Sequence, residues 1–422
     1  MRRVVVTGMG MVTALGGDLP TVWRRLIAGS NGIGPISFFD SSQYACGVAA
    51  EVTGLVPEEP GLDSFPLDFC RRGVQMFLRA AREAFRDARL DDGMVAPKDI
   101  GVGAALPVNY AHMGLLRHHF RLRNPQGTEI DFARVIEEGK QPMSSFFRRN
   151  GDMASAIPAK VLGLAGLSFG CDTACAASSF AVGQAFRSIQ RGKVKAMVAG
   201  GGCATITPIG VLAFSHLGAL SKNRDPEKAS RPFDRYRDGF VIGEGGGAVV
   251  LEDLESARSR KARIYGEITG FGVTTNAYNL TDPSPDGSSE LQAMQRALRE
   301  SSIAPQSVDY IAAHGTSTPK NDEVETAAIK GLFGDHCRKL LVSSNKGQLG
   351  HTLSTAGVTN LICAVKAIVE GVAPPTMHYE NIDPNCDLDY VPNESRKARI
   401  DAALVNAFAF GGQNAVLAVR AI

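Results

Sequence analysis

The chain has 422 residues, 44% of them hydrophobic, which is enough to bury a large core as one domain or as two fused halves. Its 45 basic and 43 acidic side chains leave a net charge of +2, so no overall field attracts nucleic acid or an anionic membrane. Its eight cysteines lack Cys-x-x-Cys and His/Cys ligand spacing, which argues against structural zinc and favours free thiols in a reducing compartment.

Short β-branched runs alternate with longer helical patterns, which is typical of an α/β fold with buried sheets. The opening "TGMGMVTALG" lacks the third glycine of a dinucleotide fingerprint, so we predict a tight strand-to-helix turn there and no nucleotide cofactor. No run of 18 or more uninterrupted apolar residues spans a bilayer, and we expect a cytoplasmic protein. Strands are predicted at 4–7, 194–199, 248–251, 310–313 and 340–343.

Two pairs of segments echo one another and indicate an internal duplication. "VVVTGMGMV" at 4–12 is echoed by "GEITGFGVT" at 266–274. The stretch after Cys175 resembles the stretch after His351 in length, in its small residues and in its closing glycine. We therefore predict two related halves, 1–258 carrying the cysteine and 259–422 carrying the histidines.

The stretch "FGCDTACAASS" at 169–179 contains two cysteines that occupy different predicted positions. Cys171 ends the approach strand, where a small apolar residue is ordinary. Cys175 falls at the start of the following helix, where unpaired N–H groups and the helix dipole favour a thiolate. The position alone does not decide whether Cys175 is a nucleophile or a core residue.

Two later stretches place a histidine at the end of one buried element and at the start of another. In "DYIAAHGTSTPKNDEVETAAI" at 309–329, His314 ends a strand, and Asp322 and Glu325 have the spacing of a capping box. In "VSSNKGQLGHTLSTAG" at 342–357, His351 opens a buried helix and should stay neutral. Lys346 precedes it, and Glu325 is a plausible partner for its charge.

The last strands are predicted as a hairpin, "NAFAFGGQNAVLAV" at 406–419, whose Phe410-Gly-Gly turn exposes backbone amides. A cysteine at a helix start, two histidines, a lysine and a glycine-rich turn together suit acyl-thioester chemistry. The segments "DTACAASS", "HGTSTP", "NKGQLGH" and "NAFAFGGQN" resemble, in order and spacing, the four active-site motifs of the β-ketoacyl-acyl carrier protein synthases. The resemblance runs from residue 3 to about 420 and is greatest to the type II elongating enzymes.

The resemblance implies a thiolase-like fold, in which two similar halves form a five-layered αβαβα sandwich, and a homodimer. It implies that Cys175 takes the acyl chain from an acyl carrier protein. His314 and His351 would bind the malonyl thioester oxygen while carbon dioxide leaves. The amides of Cys175 and Phe410 would form the oxyanion hole of the condensation step, and Phe410 would gate the cysteine.

Further residues take their roles from the same resemblance. Lys346, paired with Glu325, would hold the histidine region in place. Thr316 and Thr318 would hydrogen-bond the pantetheine arm, and we group Glu325 with them among the substrate-binding residues. The basic positions that would dock an acidic carrier protein are Arg71, Arg72 and Lys140. Gly218 stands at a docking position that is usually basic.

The sequence departs from the family pattern after the strand near Gly101. A "GIGG"-like turn is usual there, whereas this chain has "GAALPVNYAHMG" at 103–114. The resemblance places the acyl-pocket wall and a dimer contact in this segment, so we expect Ala105 and Pro107 to shape the pocket. "DTACAASS" also leans toward the "DTACSSS" form of modular polyketide synthases, which keeps a specialised polyketide or polyene pathway as an alternative to fatty-acid elongation.

Other classes fit less well. A degradative thiolase would carry a second cysteine in a late Cys-x-Gly motif, and none follows Cys175. A non-catalytic chain-length partner subunit lacks the nucleophile that Cys175 supplies. A chain-length partner subunit remains the alternative function without catalysis. A heterodimer of this chain with such a subunit remains an alternative to the homodimer.

Overall fold

The structure is a computed structural model that describes residues 1–55, 70–106, 131, 133 and 150–422. The strands are β1 (Val4–Thr13), β2 (Gly34–Pro35), β3 (Val48–Ala49), β4 (Ile100–Ala105), β5 (Ser168–Cys171), β6 (Ala196–Cys203), β7 (Gly245–Asp253), β8 (Gly266–Thr275), β9 (Tyr310–Ala312), β10 (Leu341–Ser343), β11 (Val372–Ala373), β12 (Arg396–Lys397), β13 (Ala402–Phe408) and β14 (Gln413–Arg420). The helices are α1 (Leu19–Ile27), α2 (Arg72–Asp87), α3 (Met153–Leu162), α4 (Ala177–Gln190), α5 (Pro208–His216), α6 (Leu254–Ser259), α7 (Ser288–Ser301), α8 (Pro319–Phe333), α9 (Lys346–Leu349) and α10 (Ala356–Glu370).

Ten strands form one mixed sheet in the order β10-β9-β13-β14-β8-β1-β7-β6-β4-β5. Its two halves repeat one topology, because the strands of each half, counted along the chain, lie in the order 3-2-4-5-1 from the outer edge to the centre. The parallel pairs also correspond, β4 with β5 and β6 in one half and β9 with β10 and β13 in the other. The first strands of the halves, β1 and β8, meet antiparallel at the centre.

Helices lie in three layers around the two halves of the sheet. On one outer side, α2 packs on β1, β6 and β7, and α3 packs on β4 and β5. On the other outer side, α7 packs on β8 and β14 and against α8. Between the halves, α4 contacts β6 and β14, and α10 contacts β13 and β7. The predicted five-layered αβαβα arrangement is confirmed.

The predicted strand-to-helix turn lies later than Gly8 and Gly10, at 14–18, because β1 continues as a strand through Thr13 and α1 begins at Leu19. The glycines of the first echoing motif serve helix packing instead. The two motifs contain five glycines, and a Cβ on four of them would overlap a helix carbonyl oxygen. These approaches are Gly8 to Ala84 at 2.1 Å, Gly10 to Ala80 at 2.1 Å, Gly270 to Ala297 at 2.2 Å and Gly272 to Ala293 at 2.0 Å.

The second pair of echoing segments also folds alike. Each begins with a single 3₁₀ turn, Ala174–Ala176 or Leu353–Thr355, and continues as a central helix, α4 or α10. The first residue of each turn has a positive φ, 45° at Ala174 and 49° at Leu353. The turns contact each other, so the starts of the two central helices meet inside the molecule.

The segment Leu353–Glu370 is long and apolar enough to cross a membrane by composition, but 78% of it is buried inside the described structure as the central helix. The predicted division after residue 258 falls within α6, between the last strand of one half and the first strand of the other. The exact boundary stays a prediction.

Candidate active site

Cys175 lies in the 3₁₀ turn between β5 and α4, and its side chain is 6% exposed. Burial raises the pKa of the Cys175 thiol to about 12, although the charge of Lys346 and the backbone N–H groups of Phe410 and Cys175 lower it. Cys175 therefore rests as the neutral thiol. The thiolate, which the position at the helix start would favour, is not the resting form. The effects of burial outweigh those of the helix N-terminus.

Cys171 lies on the outer strand β5, as predicted, and is half-buried. Burial raises the pKa of its thiol to about 11. Cys171 does not line the cavity that contains Cys175. The two cysteines of the motif are thus separated by their surroundings.

A cavity of about 350 Å³ reaches from the surface to Cys175. The buried side chains in its wall include His314, His351 and Phe408. Exposed residues such as Leu217 mark its outer end. The structure therefore brings the predicted nucleophile and both predicted histidines to the inner end of one cavity.

His351 is a neutral imidazole with an assignable proton. Its Nδ1 accepts a hydrogen bond from the Leu353 N–H at 3.2 Å, so the proton of the neutral ring lies on Nε2. The ring packs edge-on against Phe240, with centroids 5.1 Å apart. Burial lowers the pKa of His351 well below its usual value, and the charge of Lys346 lowers it further. The predicted neutral donor is thus supported.

His314 lies two residues after the end of the short strand β9 and meets the His351 ring edge-on, at a centroid distance of 5.3 Å. Burial lowers the pKa of His314 well below its usual value, followed by the charges of Lys346 and His351. Its Nδ1 is buried and has no hydrogen-bond partner among the residues that the structure describes. Both imidazoles are therefore uncharged at the inner end of the cavity.

Lys346 and Glu325 hold the backbone at His314 from two sides. Lys346 Nζ donates to the His314 carbonyl oxygen. Glu325 accepts the N–H groups of His314 and Gly315, each at 2.8 Å, and the Asn406 side-chain amide at 2.9 Å. Burial lowers the pKa of Lys346, and the charge of Glu325 opposes that shift.

The predicted pairing of Lys346 with Glu325 needs a correction. Both are described residues, and their charged atoms form no ion pair within 4.0 Å, because the Glu325 oxygens are occupied by the amides named above. Glu325 is also fully buried and lies outside the cavity wall. It positions His314 and does not bind substrate, contrary to its grouping with Thr316 and Thr318.

The predicted capping box is also wrong. Helix α8 begins at Pro319, three residues before Asp322, with proline at its first position. The Asp322 carboxylate instead accepts the N–H groups of Thr316 and Phe233 at 2.8 Å and of Ser317 at 3.1 Å. Its task is to fold the loop after His314.

The predicted hairpin of β13 and β14 is confirmed, and its turn, 409–412, closes over Cys175. Phe410 is half-buried, lines the cavity and packs against the cluster that contains Cys175. Two hydrogen bonds attach the turn to the segment 276–285: Gly411 N–H to the Leu280 carbonyl and Asn276 N–H to the Gly412 carbonyl, both at 2.7 Å. The predicted gate therefore has a second segment as its support.

Thr316 and Thr318 line the cavity, with their hydroxyl oxygens 2.8 Å apart. Gly218 lies at the outer end with a φ of 67°, and a Cβ there would meet nothing within 4 Å. These positions suit a channel that binds a narrow, polar arm along its length.

Of the two expected acyl-pocket residues, the structure describes Ala105, which is not among the described residues that line this cavity. Ala105 is the last residue of β4 and fully buried, pairing with Cys171 and Gly201. A Cβ on Gly201 would lie 2.5 Å from the Ala105 methyl group, so these two residues pack closely within the sheet. The role of Ala105 in the acyl-pocket wall stays a prediction, and Pro107 lies outside the described residues.

The predicted docking arginines differ in their availability. Arg72 is bound to the buried carboxylate of Glu244, with Nη2 at 2.6 Å and Nε at 2.9 Å, and its Nη2 also donates to the Val52 carbonyl. Its charge is thus already paired. Arg71 is half-buried at the N-cap of α2, and Lys140 lies outside the described residues.

Sequence reasoning missed three polar residues near the site. Asn406 holds Glu325, and its polarity within the apolar strand "ALVNAF" was the available signal. Glu290 and Asn414 are almost fully buried and line the cavity. Nothing in the local pattern of Glu290 distinguishes it from a solvated residue in the first turn of a helix.

Comparison with known proteins gives a family for both halves of the chain. A family model described as "Beta-ketoacyl synthase, N-terminal domain" matches residues 1–257, and "Beta-ketoacyl synthase, C-terminal domain" matches residues 265–380. The chain is 42% identical over 422 residues to "3-oxoacyl-[acyl-carrier-protein] synthase 2" of Synechocystis sp., which covers 99% of this chain and 98% of that relative.

Solved structures are similar over the whole chain. The ketosynthase in "AntDE:AntF (apo): type II PKS acyl-carrier protein in complex with its ketosynthase bound to the hexaketide" has a TM-score of 0.89 at 31% identity, covering 100% of this chain and 99% of its own. "The ishigamide ketosynthase/chain length factor" has a TM-score of 0.88 at 31% identity, with the same coverages.

Proposed function

The chain belongs to the β-ketoacyl synthase family of condensing acyltransferases, and we propose that Cys175, His314 and His351 carry its reaction, the decarboxylative Claisen condensation of an acyl-enzyme with malonyl-acyl carrier protein. The observation that carries this assignment is their convergence, with the amides of Cys175 and Phe410, at the inner end of one cavity. A buried thiol and two neutral imidazoles suit an enolate reaction from which water is excluded.

The first step is acyl transfer. The Cys175 sulfur attacks the thioester carbonyl, the carbon–sulfur bond to the carrier arm breaks, and the thiol proton leaves with the carrier thiol. The N–H groups of Cys175 and Phe410, which already hydrogen-bond the Cys175 sulfur, receive the oxyanion. The product is an acyl-Cys175 thioester and a free carrier protein.

The second step forms the nucleophile. Carbon dioxide leaves the malonyl thioester, and the electron pair of the broken bond becomes an enolate at the thioester oxygen. The Nε2–H group of His351 donates a hydrogen bond to that oxygen without transferring its proton. We place the proton of His314 on Nε2 for the same purpose. Each donor of this kind contributes about 2.7–4 kcal/mol to the transition state.

The enolate carbon then attacks the acyl-Cys175 carbonyl, and the cysteine leaves as thiolate and takes up one proton. Lys346 contributes without touching the substrate, because its charge lowers the pKa of both imidazoles and its Nζ fixes the His314 carbonyl. It is a positioning residue in this scheme.

The partners follow from the same proposal. An acyl carrier protein would deliver both thioesters, with its pantetheine arm along Thr316 and Thr318; the solved relative in complex with an acyl-carrier protein supports this. A homodimer is supported by β5, the outermost strand on its side of the described sheet, whose residues are partly exposed. Light scattering, which measures the molar mass in solution, tests the homodimer. We also propose a cytoplasmic location.

We propose that the acyl chain is a fatty-acid chain undergoing elongation. The name of the relative that is 42% identical to this chain supports this assignment. A specialised polyketide chain is the second candidate, supported by ketosynthases at 31% identity. Supplying saturated and polyketide acyl-carrier proteins of graded length, with malonyl-carrier, separates the two. Condensation of saturated chains with equimolar carbon dioxide release supports elongation, and the absence of any β-ketoacyl product overturns the function.

A further inference from the structure

Glu290 is a buried acidic residue for which the reaction above has no use. It lies in the first turn of α7, is 2% exposed and forms part of the wall of the cavity that holds Cys175. A carboxylate removed from water is costly unless it is paired with a cation or fully hydrogen-bonded. An apolar residue at this position would avoid that cost.

The partners of Glu290 in the described chain are all neutral. Its Oε2 accepts the Ser289 hydroxyl at 2.9 Å. The Asn414 side-chain amide lies 3.5 Å from its Oε1, the outer limit of a hydrogen bond, and is better placed toward Ser289 at 3.0 Å. One oxygen of a buried carboxyl group therefore retains hydrogen-bonding capacity inside the cavity.

Burial raises the pKa of Glu290, and the charge of Asp286 raises it further, so its protonated form is more accessible than that of an ordinary glutamate. A carboxyl group in this state both donates and accepts hydrogen bonds. Asn414 and Asn276, which lie in the same wall, add further amide groups. The wall on this side of the cavity is thus polar and buried.

We propose that Glu290, with Asn414, forms a polar subsite that hydrogen-bonds an amide, carbonyl or hydroxyl group of the bound thioester and so determines substrate specificity. This inference rests on the proposed function, because it takes the cavity as the thioester channel. Two sources carry this chemistry: the amides of the pantetheine arm, common to every substrate, and an oxygen along the acyl chain.

The test compares the parent with Glu290→Leu, which removes the hydrogen bonds, and Glu290→Gln, which retains them. Gln295→Leu, on the exposed side of the same helix, is the control for a polar-to-apolar change. The ligands are pantetheine thioesters of a saturated acid and of its 3-oxo counterpart, and the ethyl thioester of the saturated acid. Each is used for Cys175 acylation and, as an unreactive amide analogue, for binding by calorimetry.

We expect Glu290→Leu to raise the KM of acylation and to weaken binding of the analogue about five- to tenfold, the effect of one lost hydrogen bond. Glu290→Gln and Gln295→Leu should stay within about twofold of the parent. A loss shared by both pantetheine thioesters and absent with the ethyl thioester identifies the arm as the source. A loss confined to the 3-oxo substrate identifies the acyl chain.

If Glu290→Leu binds every ligand as tightly as the parent does, the subsite is overturned. It is also overturned if the ethyl thioester loses as much affinity as the pantetheine thioesters, because that would indicate a purely structural role for Glu290. If Glu290→Leu does not fold, Glu290→Ala answers the same question with a smaller side chain. A parent that binds the analogues but is never acylated contradicts the proposed function, and the subsite then stands or falls on whether Glu290→Leu weakens that binding. A parent that binds none of them contradicts both.

Discussion

At the scale of single residues, burial and the charge of one lysine together keep the two histidines neutral. Lys346 is buried behind His314, and its charge adds to burial in lowering the pKa of both imidazoles. The histidines therefore remain hydrogen-bond donors to an oxyanion and do not become imidazolium ions that would pair with the malonyl carboxylate. Lys346 and Glu325 in addition hold the His314 backbone in place by hydrogen bonds to its carbonyl and N–H groups.

The histidines should be required for decarboxylation more than for acyl transfer. We expect His314→Ala and His351→Ala each to lose about 10²–10³ in malonyl decarboxylation, the effect of one oxyanion donor, while acylation of Cys175 falls much less. His216→Ala, on an exposed helix end, is the control. If both histidine variants released carbon dioxide at the parental rate, the proposed role of the histidines in stabilising the enolate would be wrong.

The pH dependence follows from the direction of the histidine shifts. Because both pKa values are lowered, the neutral rings persist as the pH falls, and protonation begins only well below 6.5. Decarboxylation by Cys175→Ala, which retains the enolate site, should therefore be flat from about pH 7 to about pH 5.5. A fall in rate with a midpoint near pH 6.5 would contradict the lowered values.

Modification of Cys175 and substitution of Cys171 should affect activity differently. Iodoacetamide should label Cys175 and abolish condensation, whereas Cys171→Ala should retain substantial activity. Because burial raises the pKa of Cys175, labelling should accelerate about tenfold per pH unit between about pH 7 and pH 9. Inactivation that follows Cys171 labelling, or a rate that is already constant below pH 8, would contradict this assignment.

At the scale of elements, the turn 409–412 depends on its glycines in different ways. Gly411 and Gly412 have φ values of 84° and 81°, so alanine costs about 1–2 kcal/mol of strain at either position. A Cβ on Gly412 also lies 2.2 Å from the Asn276 carbonyl oxygen, whereas one on Gly411 meets only the flexible Gln413 side chain, at 2.7 Å.

We therefore expect Gly412→Ala to slow acylation of Cys175 more than tenfold, because the turn must leave the segment that supports it. Gly411→Ala is the matched control and should slow acylation only a few-fold. Stopped acylation reactions analysed by intact mass measure both rates. Equal effects of the two substitutions would mean that the contact with Asn276 does not position Phe410.

The glycines of the echoing motifs give a second prediction at this scale. Gly272→Ala should lower the free energy of unfolding by about 1–3 kcal/mol, since its Cβ would overlap the Ala293 carbonyl oxygen and force α7 away from β8. Gly266→Ala in the same strand is the control, with its nearest atom at 3.1 Å, and should cost less than about 1 kcal/mol. Urea unfolding that gives the same loss for both would contradict this packing role.

At the scale of the whole molecule, the strand order repeats between halves, and the starts of the two central helices meet at the site. Duplication explains why Cys175 and His351 both lie at the start of a central helix: Cys175 lies within the 3₁₀ turn before one, and His351 lies two residues before the equivalent turn of the other. The site thus takes its nucleophile from one half and its two imidazoles from the other.

Much of this was predictable from the sequence. Apolar runs predicted the central strands, and the echoing segments predicted that Cys175 and His351 precede equivalent helices. The role of Glu325 was not predictable, because its amide partners come from a loop whose path depends on Asp322. Whether Ala105 borders the acyl chain stays a prediction, because Ala105 pairs with Gly201 in the sheet and the segment that follows Leu106 lies outside the described residues.

The central claim is that Cys175 holds the acyl chain and that malonyl-carrier protein removes it by condensation. The most direct measurement is intact-protein and peptide mass spectrometry after addition of acyl-carrier protein, then of malonyl-carrier protein. The account predicts one acyl group on the peptide containing Cys175, lost in the second step with one carbon dioxide and one β-ketoacyl-carrier protein formed. An acyl group on another residue, or one that malonyl-carrier protein fails to remove, would contradict it.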